Sequence, residues 1–316
     1  MEHSEYSRTH SLPLIFISIR TGLKQAAGVA CCLGFCTNLW AQAVSGTVIV
    51  VERSKQKVII AADSRANFGN GRYQDSACKI TALSDRLIFA AAGIVSDSSL
   101  FIPRYLRFGA REQARRAFSA YSPTAKGEMR LDVVGQTASR WARLMGLRFA
   151  RASRAAPGEV REWLRRIDPG HERTLTIGIF AGLESNGELE VVIENIEYTE
   201  QNTSAPVAVS MMEPFNIPNE WPDNVFAFRP FGRTRIVAEM LAGKTDRAMK
   251  EALAMRPLRE NLSPNAFERL RAIRLVDLTI AYDPEPEFVG GPIDAIELAR
   301  GGRATWIQRK SGCPAD

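Results

Sequence analysis

Side chains able to exchange a proton near neutral pH are scarce in this chain of 316 residues. The histidines are His3, His10 and His171, and the cysteines are Cys31, Cys32, Cys36, Cys78 and Cys313. All but His171, Cys78 and Cys313 fall in the first 43 residues. The spacing supports no metal site, a lone histidine cannot build a His-ligated centre, and two cysteines are too few for a disulfide framework. No metal and no cofactor is therefore expected. An enzyme built from the remainder has little histidine to use as a base, so its chemistry must come from hydroxyls, carboxylates, ammonium groups and the backbone. Such groups recur at regular intervals near the start: Thr47, then Asp63 sixteen residues on, Lys79 sixteen further, and Gly93 fourteen beyond that. Ser45 is a second hydroxyl just ahead of Thr47. Singly, each has an ordinary use, as strand residue, turn cap, surface lysine or close-packing glycine.

The elements that must position these groups follow from periodicity. Thr47 to Val51 is β-branched throughout and reads as a buried strand, and Val58 to Ala62 as a second one after the charged turn Glu52 to Lys57. Lys79 to Leu83 and Leu87 to Ala92 form another strand pair. Helical spacing is expected over Ser98 to Tyr121, Leu131 to Ala150 and Pro157 to Ile167. Thr174 to Leu183 and Glu188 to Tyr198 flank Asn186-Gly187, a hairpin signal that calls for positive φ at both positions. Thr199 to Asp223 reads as a long loop. Arg233 to Ala242 and Pro264 to Tyr282 read as helices, the second with Ser263 as N-cap and Pro264 in its first turn. Ile293 to Leu298 and Ala304 to Gln308 close the chain as a hairpin. Runs of strands alternating with runs of helices indicate antiparallel sheets with helices outside, an α+β arrangement rather than a parallel βαβ sheet.

The net charge of +6 is mild for this length, and no nucleic-acid module accompanies it. Nucleic acid is not an expected partner. Residues 1–43 read as a signal peptide: Arg20 and Lys24, an uncharged run from Gln25 to Trp40, then Ala41-Gln42-Ala43. The run is too short and too mild for a membrane span. A retained anchor and a misplaced start are the competing readings of a segment with a second apolar patch, Leu12 to Ile19. The expectation is a domain over 44–316, periplasmic or secreted, with no membrane attachment once the leader is removed.

The strings Gly46-Thr-Val-Ile-Val-Val, Val58-Ile-Ile-Ala-Ala-Asp-Ser-Arg-Ala66, Ala77-Cys-Lys-Ile-Thr81 and Phe89-Ala-Ala-Ala-Gly-Ile-Val-Ser-Asp97 together resemble the first third of proteasome β-subunits and their bacterial relatives. Gly290-Gly291-Pro-Ile-Asp-Ala-Ile-Glu-Leu298 resembles their penultimate strand. The resemblance implies a four-layer αββα sandwich and assembly into a homo-oligomer. It also implies a nucleophile exposed at the N-terminus by processing, with a glycine just before it.

By the resemblance, Thr47 is the nucleophile and its freed α-amino group the base, which makes the scarcity of histidine intelligible. Lys79 would lower that amine's pKa, Asp63 would hold Lys79, and the Gly93 N–H would face the oxyanion. The substrate would be a peptide; a small amide is the alternative within the same chemistry. Three departures leave other readings open. Val48 replaces a second threonine common among relatives. The auxiliary serine and aspartate have no clear counterpart, their places falling near Phe231 and Pro286, with Glu285 or Glu287 close by. A short insertion in the Glu52–Lys57 turn would align Ser45 as the nucleophile instead. A catalytically inactive structural or binding subunit is the reading from outside the enzymes.

Overall fold

The computed structural model describes residues 15–17, 47–67, 73–93, 109–121, 132–158, 160–161, 174–199, 207–223 and 225–313. Two antiparallel sheets lie face to face. In the six-stranded sheet, β2 (Val48–Arg53) and β3 (Lys57–Ala62) sit at the centre, flanked by β11 (Phe226–Gly232) and β12 (Asp294–Ala299). The edges are β13 (Ala304–Gln308) and β1 (Ile15–Ile17), the latter pairing with β11. The five-stranded sheet runs β10 (Val207–Pro214), β9 (Leu189–Thr199), β8 (Thr174–Leu183), β7 (Leu87–Gly93) and β6 (Ile80–Ser84). A short pair, β4 (Ala66–Asn67) and β5 (Tyr73–Gln74), stands apart.

Alternation along the strands builds three apolar layers. In β2, Ile49 and Val51 join the cluster between the sheets, while Val48 and Val50 face helix α5 (Pro264–Tyr282) and helix α3 (Arg235–Ala242). In β7, Ile88, Ala90 and Ala92 point between the sheets. Leu87, Phe89 and Ala91 meet helices α1 (Ala110–Ser119) and α2 (Val133–Ala155). Strands buried on both faces read as continuous β-branched and alanine runs rather than as alternation. The order helix, sheet, sheet, helix is the αββα sandwich expected from the sequence.

The structure corrects several local expectations. The stretch 199–223 is not one long loop, because β10 pairs with β9 over eight positions. Its apolar residues lie on an edge strand half open to solvent, Val209, Met211 and Met212 being exposed, so no buried run announces it. Strand β11 was also missed. Pro230 interrupts its pattern, but it lies beyond the three positions that β1 covers, where a missing N–H costs no described pairing. Helix α4 (Asp246–Asn261) buries only Ala248 and therefore carries no apolar stripe to read; Thr245 caps it by accepting from the Ala248 N–H. At the β8–β9 hairpin only Gly187 has positive φ. The Gly187 N–H closes a turn onto the Glu184 carbonyl at 2.9 Å, so glycine takes the left-handed bulge position and Asn186 stays right-handed. Helix α5 keeps its bounds, with the Ser263 hydroxyl accepting from the Ala266 N–H. Residues 98–108 of the first expected helix lie outside the described residues, as does most of Pro157 to Ile167; the rest of that first helix holds α1.

Glu194 on β9 faces the apolar layer against α2, 2% exposed, with Oε2 lacking a partner among the described residues. Burial pushes its carboxyl up to about 7. A carboxyl raised on folding stabilises the fold below the unfolded value near 4.5 and loses that contribution as pH rises through about 7. Glu194→Gln should therefore flatten part of the decline in stability between pH 5 and 8, on the order of 1–3 kcal/mol. Urea unfolding at the two pH values checks this. Glu52 and Glu190, also raised to about 7, keep the remainder of the slope.

Candidate active site

Thr47 immediately precedes β2, and Asp63 immediately follows β3, so the hairpin register sets them side by side. Ile49 pairs with Ala62, and the Asp63 N–H donates to the Val48 carbonyl at 3.2 Å. Asp63 is fully buried and its carboxylate is the hub. Oδ1 accepts from the Val48 N–H at 2.9 Å and from Lys79 Nζ at 2.6 Å. Oδ2 accepts from the backbone N–H groups of Arg65 and Gly290, both at 3.1 Å. One carboxylate oxygen thus joins the Lys79 ammonium to the peptide unit that follows Thr47.

Lys79 stands just before β6, 3% exposed. Burial lowers its pKa, and Asp63 opposes that shift. The Lys79 carbonyl accepts from the Ala91 N–H at 3.0 Å, so the strand carrying Gly93 runs beside it. Gly93 ends β7 with φ of 87°, and beside it the Thr176 hydroxyl donates to the Ala92 carbonyl at 3.0 Å. The first-third residues therefore lie at the ends of strands from both sheets, Thr47 and Asp63 at β2 and β3, Lys79 and Gly93 at β6 and β7.

Two features around these residues were not anticipated. Gly290-Gly291, which open the string that resembles the family's penultimate strand, form the approach to β12, which begins at Asp294. Gly290 clasps Asp63 and accepts from the Ser64 N–H at 3.1 Å, while the Ser64 hydroxyl donates to the Pro292 carbonyl at 2.5 Å. Arg65 holds the same turn from outside through a two-pronged pair with Asp75, at 2.6 and 2.7 Å, and lies over the Tyr73 ring. The second feature is a disulfide between Cys78 and Cys313, Cα atoms 5.7 Å apart, which ties the residue before Lys79 to the end of the described chain. The two cysteines make no framework, but they make one crosslink. Their separation of 235 residues hid it from sequence reading.

Phe231 is buried opposite Ile49 in the layer between the sheets and offers no polar group. Its neighbours take the contact with Thr47. The Arg233 N–H donates to the Thr47 carbonyl at 2.7 Å, and the Arg233 guanidinium pairs with Glu285 and lies over the Phe288 ring. Of the two acidic candidates, Glu285 is the one joined to this arginine, whereas Glu287 contributes its carbonyl to Asn67 at 3.3 Å. Pro286 contributes its carbonyl to Arg65.

Gly232, at φ of 76°, comes so close that a Cβ there would stand 1.9 Å from the Thr47 carbonyl oxygen. Gly232→Ala should therefore cost about 2–5 kcal/mol, from left-handed strain and overpacking together, and displace Thr47. Thermal unfolding checks the first effect. Loss of the hydrogen-exchange protection expected for the Arg233 N–H checks the second.

Thr47 itself is 1% exposed, with Gly46 before it in sequence. Ser45, Gly46, the cleavage site expected after Ala43, nearly all of the expected leader and His171 lie outside the described residues. A family model described as Proteasome subunit matches residues 43–153, a stretch that contains Thr47, Asp63, Lys79 and Gly93. No curated protein matches the chain.

Proposed function

We propose, from the match of residues 43–153 to the proteasome-subunit family, that this chain is an N-terminal-nucleophile hydrolase that cleaves amide bonds of peptides with Thr47 as the nucleophile. The observation that carries the reading is the Asp63 carboxylate, which fixes both the Lys79 ammonium and the backbone next to Thr47. Once the residues before Thr47 are removed, its α-amino group has an ordinary pKa of about 7.7–8.0, suited to a base at neutral pH. The amine takes the hydroxyl proton as Oγ attacks the substrate carbonyl. The C–N bond then breaks, the leaving amine carries off that proton, and an ester on Thr47 remains. Water attacks the ester with the α-amine again as base, releasing the acid and restoring the hydroxyl. Lys79 biases the amine toward its neutral form, since a nearby ammonium opposes a second positive charge. The Gly93 N–H faces the oxyanion, a contribution of about 3 kcal/mol for one such donor.

The leader pattern and the Cys78–Cys313 crosslink both favour an oxidising compartment, so the site of action proposed is the periplasm or the exterior. A homo-oligomer is proposed by analogy with the ring-forming relatives. A small-amide substrate uses the same groups. The inactive-subunit reading draws on a specific observation, the Arg233–Glu285 pair beside Phe231 and Pro286, near which the resemblance puts the auxiliary hydroxyl and carboxylate. Intact-mass measurement of the protein from export-competent cells tests the assignment. A start at Thr47 is expected. A start at Ser45 transfers the nucleophile to that residue, and a start at Val44 in a protein that hydrolyses fluorogenic peptides rules out Thr47.

A further inference from the structure

Lys79 is accompanied by a second buried ammonium. Lys310, just past β13, has a side chain 4% exposed, with Nζ 3.0 Å from Asp294 Oδ2, whose own side chain is 1% exposed. Nζ also donates to the Ala77 carbonyl, and the Lys310 N–H donates to Asp294 Oδ1 at 2.8 Å. Asp294 opens β12 opposite Ala62, the residue before Asp63, and Ala77 lies two residues before Lys79. The Asp294–Lys310 pair is therefore set against the Asp63–Lys79 pair. Between Ala77 and Lys79 stands Cys78, crosslinked to Cys313 three residues beyond Lys310. The tail is thus fastened to the segment before Lys79 twice, once by the hydrogen bond from Lys310 to the Ala77 carbonyl and once covalently. Fold stability alone does not require the second ion pair, since well-packed apolar groups commonly replace such pairs without loss.

We propose that Lys310 is a positioning residue for Lys79, and that the Cys78–Cys313 disulfide is the latch that keeps its charge in place. The groups facing Lys79 are Asp63 at the end of β3, Asp75 on the following turn and Lys310 on the tail. The Asp75 charge is engaged by Arg65, and the Lys310 charge faces Asp294. Asp63 and Asp75 favour the ammonium form of Lys79, and Lys310 disfavours it. The consequence for hydrolysis rests on the functional reading above; the effect on Lys79 itself does not.

The test is a titration of Lys79 by NMR in protein labelled at the lysine side chains, the resonance assigned with Lys79→Arg. The midpoint is expected to move upward in Lys310→Met and to return in Lys310→Arg. Reduction by a dithiol, whose two electrons and two protons convert the crosslink to two thiols, should move it in the same direction. Cleavage of a fluorogenic peptide at neutral pH should hold or rise in both cases, because the ammonium form of Lys79 that the mechanism uses is then favoured. If Lys310→Met does not fold, Cys313→Ser, which keeps both charges, carries the test. A purely structural tail would change the unfolding temperature and leave the Lys79 midpoint alone. An unmoved midpoint in Lys310→Met and in the reduced protein, or in Cys313→Ser where it stands in, overturns the proposal. A wild type that hydrolyses nothing overturns only the functional reading, because the titration is read without turnover.

Discussion

Thr47→Ala is expected to abolish both removal of the leader and hydrolysis of any amide, while the protein still folds. The two losses share one cause. On the proposed mechanism the same hydroxyl first attacks the Gly46–Thr47 peptide bond and later attacks the substrate. Glycine at position 46 suits the first step, because a residue without Cβ leaves room for the tight turn that self-attack requires. The main-chain contacts of residue 47, from Arg233 to its carbonyl and from Val48 to Asp63, survive the substitution. The loss of stability should therefore be modest, about 1 kcal/mol. The comparison needs N-terminal sequencing, a panel of fluorogenic peptides and small amides, and thermal unfolding of both proteins. Equal turnover by wild type and variant would remove Thr47 from the mechanism. A variant that loses turnover only because it unfolds would leave the thermal data far apart.

Asp63→Ala should be the most damaging substitution at the site to the fold itself. It removes the acceptor for three backbone N–H groups, those of Val48, Arg65 and Gly290, and strands the buried Lys79 ammonium. Breaking a buried pair by deleting one partner typically costs about 3–5 kcal/mol, and each stranded buried donor adds to that. That is a large share of the stability of an ordinary domain. Asp63→Asn should be milder, since one amide oxygen still accepts, although its NH₂ group confronts donors. Urea unfolding of the three proteins orders them as wild type, Asn, Ala. A cost below about 1 kcal/mol for Asp63→Ala would mean that Lys79 discharges or finds water, and that the hub is not what holds these strand ends together.

Both predictions concern residues that the resemblance named before any coordinates. Asp63 and Lys79 were named together by the resemblance of their strings to the proteasome β-subunits, and they stand at strands of two different sheets, β3 and β6. The β-branched runs of β2 and β3, the apolar face of α2 and the Ser263 cap of α5 declared themselves through period and capping chemistry. Elements that bury little did not. Strand β10 exposes its apolar residues on an edge, and α4 buries one alanine, so neither leaves a pattern.

Sequence by itself determined the layered α+β architecture, because that depends on local periodicity, and the resemblance of short strings supplied the first-third candidates. Tertiary structure decided what surrounds them. Gly290 on Asp63, Arg233 on Thr47, Lys310 against Asp294 and Cys78 joined to Cys313 are contacts between segments many residues apart. Such contacts follow from how β11, β12 and the tail after β13 are laid beside β2, β3 and the Lys79 strand. No spacing along the chain encodes that placement, which emerges only when the sheets close over their common core.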